Sequence, residues 1–115
     1  MMAINRCVAI VKAKQPFLDW AKGLPDPPTE ITLATFHVDS HAYLLPEFEM
    51  VDDQVAILAE FYDEIFEQEL TGWCTDDKTF PTKRTLPMFE EWFDVEFHST
   101  VLDMIDDEEI EHDPY

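Results

Sequence analysis

From Asp52 to Leu70 the chain runs DDQVAILAEFYDEIFEQEL, its longest stretch of sustained helical periodicity. At 3.6 residues per turn Val55, Leu58, Tyr62, Ile65 and Phe66 fall on one side with Phe61 at its border, while Glu60, Asp63, Glu64 and Glu67 fall on the other. The spacing therefore predicts an amphipathic helix. Its four outer carboxylates stand at i, i+3, i+4 and i+7 with no Lys or Arg among them. A chain carrying such a helix must supply an apolar layer to cover it. With 115 residues, 46% of them hydrophobic and 13% aromatic, one domain can do so, which excludes disorder throughout.

The covering layer is expected from the flanking segments. INRCVAIV at Ile4 to Val11 is almost continuously apolar and β-branched and reads as a strand buried on both faces. Gln15 to Lys22, with Pro16 near its start and Gly23 past its end, reads as a short helix turning Phe17, Trp20 and Ala21 to the core. Residues 24–29, LPDPPT, form a connection. Ile31 to Val38 reads as a strand or irregular extended piece, with a short helix capped at Thr32 as the other reading. His41 to Leu45 is a firmer strand, ended by Pro46. Asp52 and Asp53 stand where carboxylates favour a helix N-terminus. Thr85 is placed to cap LPMFEEWF, a short aromatic helix, and Asp94 to Met104 reads as the last strand.

These elements predict an α+β fold: a small, mainly antiparallel sheet of three or four strands with one long and two short helices on one face. Residues 1–105 are expected to form the domain and 106–115, DDEEIEHDPY, a solvated acidic tail.

Charge restricts the partners. The chain has 26 acidic and 7 basic residues, a formal net charge of −19. All seven basic residues lie in Arg6 to Lys22 and Lys78 to Arg84, so residues 23–77 hold fourteen Asp and Glu and no Lys or Arg. Such a surface repels nucleic acid and anionic membrane and attracts basic proteins and cations. No apolar run reaches the roughly 18 residues of a membrane span, and the N-terminal segment lacks a small-residue cleavage pattern. A cytoplasmic protein is expected. Cys7 and Cys74 form no C-x-x-C, which argues for two reduced thiols rather than a disulfide framework or zinc site.

Few residues are placed for catalysis. His37, Asp39 and His41 form H-x-D-x-H, which on an extended segment would aim three ligands to one side and could seed a transition-metal site. The other reading is a turn flanked by two polar histidines. His98 with Glu96 and Asp94 could form a proton-transfer pair. Common catalytic signatures and glycine-rich phosphate loops are absent, so no cofactor is expected and an enzyme is disfavoured.

NRCVAIVKAKQPFLDW at Asn5 to Trp20, AYLLPEF at Ala42 to Phe48, Gly72-Trp73, and RTLPMFEEWFDVEFHSTVLDM at Arg84 to Met104 resemble an uncharacterised family of small acidic bacterial proteins. The resemblance implies a one-domain bacterial cytoplasmic protein and carries no activity, cofactor or site.

The sequence thus points to a non-enzymatic binding or regulatory protein. It would meet a basic partner through Glu60, Asp63, Glu64 and Glu67, helped by Glu47, Glu49, Asp52 and Asp53, and would dock aromatic groups near Trp73. The four helix charges span about 10 Å at ~1.5 Å per residue, or one charge per ~3 Å, close to the ~3.4 Å charge spacing of one nucleic-acid strand, so nucleic-acid mimicry is the sharper form. The alternatives are a small metal-binding protein or enzyme using His37, Asp39, His41 or His98, and a homo-oligomeric structural protein joined through a sheet edge or apolar surface.

Overall fold

The computed structural model describes residues 1–27 and 30–113. Pro28 and Thr29 of the predicted connection, and Pro114 and Tyr115 of the predicted tail, lie outside the described residues. The elements in chain order are β1 (Met2–Ala3), β2 (Arg6–Ala13), α1 (Gln15–Lys22), α2 (Leu33–His37), β3 (His41–Pro46), α3 (Asp52–Thr71), a 3-10 turn (Asp77–Thr79), α4 (Leu86–Trp92), β4 (Phe93–His98) and β5 (Leu102–Asp103).

The fold is α+β. β2 is the central strand of a three-stranded antiparallel sheet, with β3 on one side and β4 on the other, and β1 pairs with β5 in a separate two-stranded ladder. Among the described residues three short helices accompany α3 rather than two, because Leu33–His37 is helical and not extended. The reason is local. Thr32 accepts from the Thr35 N–H while the Thr35 hydroxyl accepts from the Thr32 N–H, a reciprocal cap that outweighs the β propensity of Thr, Phe and Val. Phe36 then packs edge-on against Phe17 and Trp73.

Register explains which face of the sheet is covered. Cys7, Ala9, Val11 and Ala13 alternate along β2 and are buried, together with Leu45 of β3 and Phe93 of β4. Val8, Ile10 and Lys12 on the opposite face are half-buried, and Leu44 opposite Val8 is 49% exposed. The expected burial of this strand on both faces is corrected: every second residue meets water. The expected last strand is also divided, since β4 ends at His98 and β5 resumes at Leu102 to pair with β1.

Small side chains on the buried face of β2 leave room for rings from the helices. Phe66 of α3 meets Phe89, Trp92 and Phe93 at centroid separations of 5.8, 5.2 and 5.4 Å, and Phe17 of α1 lies 5.1 Å from Phe93. Such tilted and edge-on pairs suit the ring quadrupoles. Two helix starts follow their predicted signals: α4 begins where the Thr85 hydroxyl accepts from the Met88 N–H, and α1 carries Pro at its first turn. In α3, Leu58, Ile65 and Phe66 are buried as the spacing predicts, joined by Ile57 and Leu70. Val55 is the exception at 66% exposed. Residues 104–113 are exposed. Among the described residues no helix is long and apolar enough to cross a membrane.

Candidate protein interface

α3 presents two different flanks. On the flank towards α4, Arg84 Nε donates to Asp63 Oδ1 at 2.8 Å and its Nη2 lies 3.6 Å from Glu67 Oε2. The same guanidinium donates to the Pro81 carbonyl at 3.2 Å and sits 6.0 Å from the Phe66 ring centroid. Asp63 and Glu67 therefore have a cation within the fold. No sequence neighbour could provide it, and the loop before α4 does.

Glu60 and Glu64 lie one turn apart beside that pair. Both are exposed, and neither makes an ion pair or hydrogen bond among the described residues. Glu47 and Glu49 precede α3 in an exposed loop, and Asp52 and Asp53 open its first turn. Asp53 Oδ2 accepts from the Met50 N–H at 3.2 Å, while the N-cap residue itself is Val51 and makes no side-chain cap. Trp73 belongs elsewhere. A helix of 20 residues is about 30 Å long, so Trp73, past its C-terminus, stands at the far end from Asp52 and Asp53. Its ring packs 4.8 Å from Phe36, which makes it part of the wall between α2 and α3.

On its other flank α3 and the edge strand β3 enclose a groove of about 510 Å³. Its apolar walls are Leu45 and Tyr43 from the strand and Phe61 and Ile65 from the helix, with Glu64 and Gln68 on the rim. At its end lies a polar cluster without a local sequence signal. Glu69, whose side chain is only 11% exposed, accepts through Oε2 from the Tyr43 hydroxyl and from Nδ1 of His41, both at 2.5 Å. The two donors come from β3, so this one carboxylate fixes the C-terminal half of α3 against the strand.

A carboxylate-held imidazole is a component of general-base sites. Ser40, which lines the neighbouring cavity with His41 and Glu69, has its Oγ buried with no hydrogen-bond partner among the described residues, so its own hydroxyl is not bonded to the imidazole. The H-x-D-x-H set is split by α2. His37 ends that helix and its Nε2 lies 2.7 Å from the Ala13 carbonyl oxygen, Asp39 is in the exposed turn that follows, and His41 is held by Glu69. The extended backbone that would have aligned the three is absent. Among the described residues no group of three or more His, Cys, Asp or Glu is arranged to hold a metal ion. His98 lies 3.3 Å from Glu96, which also lies 3.9 Å from Lys12, on the exposed face of the sheet. Cys7 is fully buried, and burial pushes its thiol above the ordinary value of 9.0, against the lowering effect of its own backbone and that of Leu45.

No known protein family, curated protein or solved structure matches the chain.

Proposed function

We propose that the protein is a non-enzymatic acidic binding protein whose partner is a basic protein, met through the exposed side of α3. The observation that carries this reading is the state of Glu60 and Glu64. Both are exposed, both stand within residues 23–77 where no Lys or Arg occurs, and the nearby Arg84 is already engaged by Asp63 and Glu67. Two unshielded carboxylates one turn apart, in the field of a chain of net charge −19, attract a cationic surface over about a Debye length. Glu47, Glu49, Asp52 and Asp53 widen that field at the N-terminal end of α3. The internal pairing of Asp63 and Glu67 concentrates the contact on Glu60 and Glu64. In the sharper form of the proposal, the partner's basic groove is one that otherwise holds nucleic acid.

The test is affinity capture on immobilised protein at low salt, with wild type beside the Glu60→Lys/Glu64→Lys double variant. Partner retained by wild type is expected to leave as salt rises from roughly 50 to roughly 500 mM, where the Debye length contracts to a few ångströms, and the double variant is expected to retain none. Retention indifferent to salt and to both substitutions would sink the reading. Competition by duplex DNA for the captured partner tests the mimicry form, and a partner without affinity for DNA refutes it.

A further inference from the structure

We infer that the open face of the three-stranded sheet meets the same face of a second copy of this chain, giving a weak two-fold dimer with α3 on its outside. The surface is distinct from the carboxylates of α3, which lie beyond the other face of the sheet.

The helices gather on the face that carries Cys7, Ala9 and Val11. On the opposite face, register lays two rows of side chains across all three strands: Leu44, Val8 and His98 in one, and Ala42, Ile10 and Glu96 in the next. An antiparallel sheet covered on one side normally alternates apolar residues inward with polar residues outward. Here β2 and β3 depart from that rule, because Val8, Ile10, Ala42 and Leu44 stand where polar side chains are expected. Leu44 is 49% exposed, and among the described residues neither Val8 nor Ile10 belongs to an apolar core.

Charge selects the occupant. The chain has a formal net charge of −19, and residues 23–77 hold no Lys or Arg. The open face of the three-stranded sheet is instead balanced, with Arg6 and Lys12 of β2 set against Asp94 and Glu96 of β4. Lys12 already lies 3.9 Å from Glu96. A strongly basic partner finds no uncompensated field here, and an anionic one is repelled by the rest of the molecule. Two copies that would repel through their acidic helices can approach through this face.

Two-fold symmetry supplies the fit. An axis running across the strands between Val8 and Ile10 turns each row onto the other, the self-complementary arrangement of an isologous contact. Leu44 then stands over the small Ala42 of the second copy, Val8 over its Ile10, and His98 over its Glu96. Arg6 comes beside the Asp94 of the second copy. Facing sheets pack about 10 Å apart with strand directions within about 30°, so side chains of both copies interdigitate. From Arg6 to Lys12 the patch measures roughly 14 Å by 23 Å, at ~4.8 Å between strands and ~3.3 Å per residue. That is well below the roughly 800 Å² per partner of a standard interface, so the dimer is weak and concentration-dependent.

Sedimentation equilibrium of the intact protein from about 10 µM to about 1 mM, the range of weak association, tests the proposal. A reversible dimer is expected. Its dissociation constant should fall as salt rises from about 0.01 M to about 1 M, because the Debye length shrinks from ~30 to ~3 Å and screens the repulsion between copies of like net charge. Leu44→Lys should raise the constant at least about tenfold, and so should His98→Glu, which sets carboxylates of the two copies face to face. Val55→Lys makes the same exchange of an apolar for a basic residue on α3 and should leave the constant within about twofold. Leu44 and His98 are both exposed, so both variants are expected to fold. Circular dichroism checks this, and if one variant misfolds the other decides. Monomer at every concentration and salt overturns the proposal. So does a dimer indifferent to the two sheet-face variants, one lost in Val55→Lys, or one that weakens as salt rises. Capture of a basic partner weakens with salt, in the opposite sense, so failure of the dimer and failure of the acidic-binding reading are separate results.

Discussion

Arg84 Nε and Asp63 Oδ1 are joined at 2.8 Å across 21 positions of the chain, with the guanidinium only 16% exposed. This bond ties the loop before α4 to the middle of α3 and partitions the acidic surface of the helix. Asp63 and Glu67 are committed to the fold, whereas Glu60 and Glu64 are left to an external cation. Arg84→Met keeps the stem that packs near Phe66 and removes the charge. Stability is expected to fall by about 1 kcal/mol, the scale for a partly exposed pair with some charge-assisted geometry. Urea unfolding measures it, and the difference from wild type should shrink at high salt. An undiminished difference there would assign the loss to packing.

Glu69 offers a different kind of test, because its side chain is nearly buried and one oxygen serves two donors. Glu69→Ala removes the acceptor from Tyr43 and His41 and is expected to cost about 1–3 kcal/mol. Glu69→Gln, which keeps an amide oxygen in reach, is expected to lose less than half as much. The urea midpoint, at constant dependence on denaturant, separates the two variants. Equal losses would show that charge rather than acceptor geometry holds α3 to β3.

Phe66 is fully buried among Phe89, Trp92 and Phe93. Phe66→Ala should cost about 3–5 kcal/mol, through lost transfer energy and the cavity left behind. Thermal unfolding followed by near-ultraviolet circular dichroism would register the loss in the aromatic signal of the same cluster. A loss below about 1 kcal/mol would mean that the neighbouring rings collapse into the space.

The two thiols should behave differently. Cys74 is partly exposed and is expected to react with a thiol reagent in the native state, whereas Cys7 should react only on unfolding. Burial raises the folded pKa of Cys7 above its ordinary 9.0. The sign follows directly: the folded state holds the proton more tightly, so this contribution to stability is complete below 9.0 and is lost as pH rises through 9.0 towards the folded value. Wild type should therefore lose stability relative to Cys7→Ala over that interval. A constant difference between them would refute the linkage.

The parts of the fold legible in the sequence are those whose cause is local. Pro16 and Gly23 bracket α1, Thr85 caps α4, and the apolar stripe of Leu58, Ile65 and Phe66 identifies the buried side of α3. Thr32 shows where local signals compete, because the same residues that favour a strand also complete a reciprocal cap, and the cap prevails, with Phe36 then packed on Phe17 and Trp73. The one-sided burial of β2 was hidden because apolar residues occupy both of its faces. Of the candidate interface, Glu60 and Glu64 could be read from spacing and charge. Glu69 could not, since it looks like one more acid until His41 and Tyr43 are brought across from β3. Arg84 was likewise known as a distant cation, but only folding selects Asp63 and Glu67 as its partners.

β2 has a neighbour on each side, and those neighbours arrive at very different times during synthesis. β3 follows soon after β2, whereas β4 is encoded close to the far end of the chain, beyond both α3 and α4. A nascent chain that has exposed β2, β3 and α3 still lacks Phe89 and Phe93, two of the rings that fill the space over the small residues of the central strand. During elongation the flank of β2 reserved for β4 is therefore a temporary pairing edge, and protecting it falls to the ribosome, a chaperone or the growing chain itself.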